Sequence, residues 1–188
     1  MLDEKQGRYL VALARKAIET YLESGKRLVL EPSDVPDSKL TEKGACFTTL
    51  MLGDNLRGCI GSLEATKPLV FDVMDNALSA ALEDPRFQPL STEELPAIKI
   101  EVSVLTSPER LLIKTADELL DKLEPRRHGL IMKKGWARAT FLPMVWEQLP
   151  EKEEFLSRLC MKAGLLPDEW REVKEIEFYT YEAQEFSE

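Results

Sequence analysis

The chain has 188 residues, a length suited to one compact domain, with a formal net charge of -9. This acidity repels a phosphate backbone over most of the surface, so nucleic acid is an unfavoured partner. Three cysteines and one histidine exclude a disulfide framework and a zinc module, and no apolar run approaches the ~20 residues of a membrane helix. An N-terminus that carries acids where a signal peptide carries cations predicts a cytoplasmic location.

The first predicted element is an amphipathic helix over residues 3–24. Its apolar side chains recur at spacings of three and four, and Gly25 is placed to end it. Residues 31–37 (EPSDVPD) have the composition of a loop, because their prolines bar a regular helix.

A hairpin and a second helix follow. Residues 45–52 and 57–63 read as paired strands joined by a glycine-containing turn. Pro68 suits the first turn of a helix that runs to about residue 81. Asp84 precedes a proline and is driven out of the helical region, so the chain turns sharply and exposes Arg86. We expect Phe87 to enter the core and anchor this turn.

The second half of the chain continues with short strands and helices. The pattern predicts a strand over 97–106, a helix capped by Thr115 and Glu118, strands over 129–133 and 136–141, and a helix over 151–163. A final strand over 173–181 is expected at a sheet edge. The fold class is therefore α+β, a mainly antiparallel sheet with flanking helices, in a single domain over 1–188 that has room for a smaller lobe.

Residues 56–61 (LRGCIG) combine two glycines with an arginine and a cysteine. Glycines in a strand allow another backbone to approach closely. The guanidinium of Arg57 can bind an anion through two hydrogen bonds, and a nearby cation favours the thiolate form of Cys59. The alternative is a plain hairpin in which Cys59 is a small buried hydrophobe.

Other candidate residues each have a structural alternative. Arg86 suits an anion contact or an ordinary surface ion pair. Glu101 lies on a strand face opposite the apolar one, where a carboxylate is either solvated or held for function. His128 could act as a base toward Cys59, although a histidine beside two arginines is more typical of a solvated turn. The basic residues around it form the candidate nucleic-acid patch: Arg126, Arg127, Lys133, Lys134 and Arg138.

The hexapeptide also resembles the signature of the AMMECR domain family, known in microbes as protein A of the AmmeMemoRadiSam system. Further blocks resemble the family in the same order over nearly the whole chain: residues 44–50, 84–87, 101–105, 139–143 and 159–165. Met144 stands where the family is expected to favour glutamine. The resemblance implies an α+β fold and a pathway shared with a Memo-like protein and a radical-SAM protein. The cluster and its cofactor would belong to that partner, since this chain lacks a three-cysteine motif.

These observations give two main hypotheses. In the first, the protein is an enzyme or accessory subunit acting on a small molecule or peptide, with Cys59, Arg57, Arg86 and Glu101 as catalytic residues. Ligand-binding residues are then Gly58, Gly61 and Thr140, with no cofactor on this chain and no metal, because no metal-ligand spacing is present. In the second, a groove lined by Arg57 and Cys59 binds a partner without catalysis. Both hypotheses expect Arg57, Cys59 and Arg86 to line one concave site.

Overall fold

Two antiparallel sheets, each with its own helices and its own core, organise the chain. The computed structural model describes residues 1–188 and divides into two units. The first unit comprises Met1–Leu105 and Gln184–Glu188, and the second comprises Thr106–Ala183. The α+β class with mainly antiparallel pairing is confirmed.

The first unit is a five-stranded sheet covered on one face by two helices. Its elements are α1 (Glu4–Ser24), β1 (Lys43–Leu52), β2 (Asn55–Gly61), β3 (Lys67–Pro68), α2 (Leu69–Leu82), β4 (Ile98–Leu105) and β9 (Ala183–Ser187). The strand order is β2-β1-β4-β9, and β3 pairs with β1. Short 3-10 helices lie at Pro32–Asp34, Ser38–Thr41 and Leu95–Ala97.

Local sequence signals set the ends of α1. The Asp3 side chain accepts a hydrogen bond from the Gln6 N–H, and the Gln6 side chain reaches back to the Asp3 N–H, which forms a capping box. Gly25 ends the helix with a φ of 69°, a conformation that favours glycine. Both ends of the predicted helix are therefore confirmed within one residue.

Strand alternation separates the two faces of this sheet. Cys46, Leu50, Ile100 and Val102 are fully buried in the core that α1 and α2 cover. Side chains at the intervening positions, including Thr49 on β1, point to the face turned away from the helices.

The second unit is a four-stranded sheet with the order β5-β8-β6-β7. Its elements are β5 (Glu109–Arg110), α3 (Ala116–Lys122), β6 (Gly129–Lys134), β7 (Ala137–Phe141), α4 (Lys152–Lys162) and β8 (Glu177–Tyr181). Two 3-10 helices lie at Pro143–Glu147 and Glu169–Arg171. Thr115 caps α3 as predicted, and Trp146 stacks on Phe155 in the core with ring centroids 3.7 Å apart.

Two predictions about the chain path are wrong. The strand expected over 173–181 forms only at Glu177–Tyr181, lies between β5 and β6 rather than at an edge, and is followed by β9. Phe87 does not enter the core and is only half-buried, whereas Leu90 is buried and donates its N–H to the Ala81 carbonyl at 2.7 Å. None of the four α-helices combines the length and apolar character that crossing a membrane requires.

Candidate functional site

The backbone of Cys59 is held on both sides of its edge strand. Cys59 lies opposite Thr49 of β1, and its own N–H and C=O point away from β1. Asp84 Oδ2 accepts from the Cys59 N–H at 2.9 Å, and Arg86 Nη2 donates to the Cys59 carbonyl at 3.3 Å. The pair thus supplies one acceptor and one donor, as a neighbouring strand does. We call Asp84 and Arg86 the edge clamp.

Gly58 explains how α2 can lie close enough to form this clamp. A Cβ at Gly58 would overlap the carbonyl oxygen of Ala80 in the last turn of α2. A backbone oxygen cannot move aside as a flexible side chain can, so a side chain at this position is excluded without a shift of the helix. A Cβ at Gly61 would overlap the Phe47 ring in the same manner. Close packing therefore explains why both positions are glycine, and their contact with a ligand stays a prediction.

The two arginines converge, but both are neutralised. Arg57 forms a bidentate pair with Glu94 at 2.7 and 2.9 Å, and Arg86 forms one with Asp84 at 2.9 and 2.7 Å. Their guanidinium carbons lie 5.9 and 5.4 Å from the centroid of the Phe87 ring. The cluster carries two positive and two negative charges, so neither arginine is an unpaired cation, and an anionic ligand at this groove stays a prediction.

The ion pairs strongly lower the pKa values of the Glu94 and Asp84 carboxyl groups. The hydrogen bonds from Arg57 lower the pKa of Glu94 to about 2, and the Ser91 N–H acts in the same direction. Hydrogen bonding to Arg86 holds the pKa of Asp84 far below its ordinary value, assisted by the Cys59 and Arg86 N–H groups. Asp84 is buried, so its charge is compensated by these donors rather than by water.

The thiol of Cys59 is half-buried and protonated at neutral pH. Burial raises its pKa, and the Asp84 and Glu101 carboxylates act in the same direction. The Thr49 hydroxyl donates to Sγ at 3.3 Å and lowers the pKa, as does the charge of Arg86, but both effects are smaller than that of burial. Arg86 therefore lowers the pKa of Cys59 in the expected direction, but burial outweighs it and the net shift is upward.

Thr49 lies between Cys59 and a carboxylate on the next strand. Thr49 pairs with Cys59 on one side and with Glu101 on the other, so the three side chains lie in one row on the face turned away from the helices. We call this set the polar row. Burial raises the pKa of Glu101, the Glu185 carboxylate raises it further, and a hydrogen bond from Ser103 opposes both.

A second polar cluster lies on the helix side of the sheet. The Asp72 carboxylate, in the first turn of α2, accepts from the Cys46 N–H at 3.0 Å and from the Ser62 hydroxyl at 2.7 Å. Asn76 donates to the Cys46 carbonyl at 3.1 Å. Cys46 and Cys59 therefore lie on opposite faces and cannot ligate one ion, and no group of three or more potential metal ligands is present.

The remaining candidate residues belong to the second unit. Thr140 Oγ1 lies 3.1 Å from the Tyr181 hydroxyl, and burial raises the pKa of Tyr181 to about 12. His128 Nδ1 accepts from the Glu124 N–H at 3.2 Å, which fixes the ring in its turn. Cys160 is fully buried in the core, as its place on an apolar stripe predicts.

Two cations of the predicted basic patch, Arg127 and Lys134, are paired with acids. Arg127 pairs with Glu124 and Glu182, and Lys134 pairs with Glu169 at 2.6 Å and with Glu175 at 2.8 Å. Surface cations that are paired in this way offer little attraction to a phosphate backbone.

Sequence reasoning missed Thr49 and the acids that hold the arginines. Thr49 could have been found by pairing the predicted strands in register, since it faces both Cys59 and Glu101. Glu94 lies 37 residues from Arg57 in a loop, and no local pattern indicates that contact.

Over almost its whole length the chain matches one known family of proteins. The AMMECR1 family model matches residues 11–186, so this chain belongs to the AMMECR1 family.

Relatives extend over the whole chain. Protein MK0488 of Methanopyrus kandleri is 45% identical over 192 residues, covering 98% of this chain and 89% of the relative. A protein of Methanothermobacter thermautotrophicus is 44% identical over 188 residues, covering 100% of this chain and 96% of its own. The crystal structure of the uncharacterized protein PH0010 from Pyrococcus horikoshii has a TM-score of 0.88 and 38% identity, covering 100% of this chain and 93% of that one. Family membership therefore defines the fold and names no activity.

Proposed function

We propose that the protein is an accessory binding subunit that holds a positively charged small molecule or peptide against the polar row. One observation carries this proposal: Glu101 is half-buried, has a raised pKa and forms no ion pair, whereas Arg57 and Arg86 beside Cys59 are both neutralised. Lys99 shares this face but is exposed to solvent. A cationic group is the ligand chemistry that relieves a partly desolvated carboxylate.

The partners implied by the family resemblance belong to the same proposal. A Memo-like protein and a radical-SAM protein are the first candidates, and the cluster and cofactor are assigned to the radical-SAM partner. This chain then supplies a binding surface in the cytoplasm and carries no cofactor of its own. The resemblance supports this part of the proposal.

Native mass spectrometry of the protein purified at low salt tests the ligand class. We expect a bound species that is cationic at neutral pH, lost in Glu101→Gln and retained in Glu4→Gln, which removes the same charge from an exposed position on α1. A bound anion, or equal retention in both variants, contradicts the proposal. Co-purification with the recombinant Memo-like and radical-SAM proteins tests the partners separately. If neither protein is retained, the proposal about the partners fails and the proposal about the ligand stands.

A second candidate function is catalysis with Cys59 as nucleophile. It is favoured by the polar row, in which Thr49 donates to Sγ and the raised pKa of Glu101 makes it a stronger base than an ordinary glutamate. Cys59→Ser and Cys59→Ala then abolish product formation in the radical-SAM pathway, with stability changed by about 1 kcal/mol. Full activity of both variants assigns Cys59 to packing.

A further inference from the structure

The residues between α1 and the first 3-10 helix form a surface segment that has no neighbouring strand. Residues 27–31 (RLVLE), here the RLVLE segment, belong to neither a helix nor a strand. Leu28 and Leu30 pack against the first core, while Val29 between them is 79% exposed. This alternation is that of an extended chain with one apolar side anchored and the other side open.

The backbone of this segment is also unpaired. No N–H or C=O of residues 27–30 forms a hydrogen bond within the protein, and the Glu31 carbonyl accepts from the Asp34 N–H. An extended, anchored segment with free backbone groups and an exposed β-branched side chain is a template for strand addition.

The sequence of the segment is complementary to itself. Read against itself in antiparallel register about Val29, Arg27 opposes Glu31, Leu28 opposes Leu30, and Val29 opposes Val29. The exposed side then presents two opposite-charge pairs that flank a valine pair, and such cross-strand pairs are favourable. We propose that a second copy of this chain adds to the RLVLE segment as an antiparallel strand, in a contact that is isologous about a two-fold axis at Val29.

The surroundings of Arg27 allow it to change partners. Arg27 pairs with Asp75 at 2.6 Å, and both side chains are largely exposed. Asp75 also pairs with Lys67 at 2.6 Å, so it keeps a cation when Arg27 turns to the second copy. Beside the segment, a groove of about 420 Å³ is lined by Leu28, Leu30, Phe71, Met74 and Leu78 and extends the apolar surface.

The contact is small compared with a standard interface, so the dimer it forms is weak and concentration-dependent. Sedimentation equilibrium of the full chain at several concentrations and low salt measures it directly. Dimerisation is the expected result, and a strictly monomeric chain throughout the accessible concentration range overturns the proposal.

Charge reversal tests the register. Arg27→Glu and Glu31→Arg should each weaken the dimer by about tenfold, because each creates two like-charge pairs, and the double variant should restore it. Val29→Lys should weaken it as well, by placing two lysines opposite one another. Arg8→Glu reverses a charge at an exposed position of α1 and should leave the dimer unchanged. Dimerisation that is unaffected by the single reversals, or not rescued in the double variant, contradicts this pairing.

Discussion

At Cys59 the edge clamp fixes the backbone, while burial keeps the thiol protonated. The pKa of this thiol is raised, so its rate of alkylation by iodoacetamide should rise with pH through a midpoint above the free value of about 8.5. Thr49→Val removes the hydrogen bond that favours the thiolate and should raise the midpoint further. Cys46 and Cys160 are fully buried and should stay unlabelled in the native protein. A midpoint below 8.5 would show that the arginines govern the thiol after all.

Gly58 is the residue on which the approach of α2 to β2 depends. Gly58→Ala should lower the free energy of unfolding by about 3 kcal/mol, because the new Cβ meets the Ala80 carbonyl oxygen. Gly135→Ala is a matched control in open space, where only the φ of 56° opposes alanine, and it should lower stability by about 1 kcal/mol. Equal values from urea denaturation would mean that the helix can shift to accommodate the methyl group.

At the scale of elements, the edge clamp ends the sheet at β2. A bare edge strand is open to pairing with another chain, and Asp84 and Arg86 occupy the outward N–H and C=O of Cys59 in place of a neighbouring strand. The same turn carries Phe87, whose ring lies near both guanidinium groups, so one short loop closes the edge and contributes to the site.

Amide hydrogen exchange tests the clamp. The Cys59 amide should be protected in the native protein and should exchange at least tenfold faster in Asp84→Ala, because its acceptor is lost. The Ile60 amide faces Thr48 in the ladder and should change much less. Rapid exchange at Cys59 in the unaltered protein would show that the edge is open.

Sequence reasoning predicted those elements whose signals are local. The Gly25 end of α1, the β1–β2 hairpin and the Thr115 cap each depend on residues a few positions apart, and all are found. The two-residue strands β3 and β5 carry no periodicity, and β9 was missed because its partner β4 is distant in sequence. Prediction of the candidate site was limited by distance along the chain in the same way. Arg57, Cys59 and Arg86 were identified by residue type. Asp84 is two residues from Arg86, but Glu94 is 37 residues from Arg57, and only the tertiary fold brings that second pair together.

For the molecule as a whole, these carboxylates link stability to acid pH. In the folded protein the pKa of Glu94 is about 2, below the ordinary value of about 4.3. The ionised carboxylate therefore adds to the free energy of unfolding above pH 4.3, and this stabilisation is lost as the pH falls toward 2. The pKa of Asp84 is lowered in the same direction. Glu94→Gln should lower stability at pH 7 by about 2 kcal/mol and give a shallower decline below pH 4.3. An unchanged acid profile in thermal unfolding would contradict the Arg57–Glu94 pair.

The net charge of -9 favours cations over the whole surface, so the local field at Cys59 must be measured against that background. The most direct measurement compares how fast a cationic and an anionic methanethiosulfonate reagent modify Cys59 at moderate salt. We expect the cationic reagent to react several times faster, with a ratio that falls in Glu101→Gln and stays unchanged in Glu4→Gln. Faster modification by the anionic reagent, or a ratio that Glu101→Gln leaves unchanged, would contradict the account, because Cys59 would then face arginine charge and not the carboxylate of the polar row.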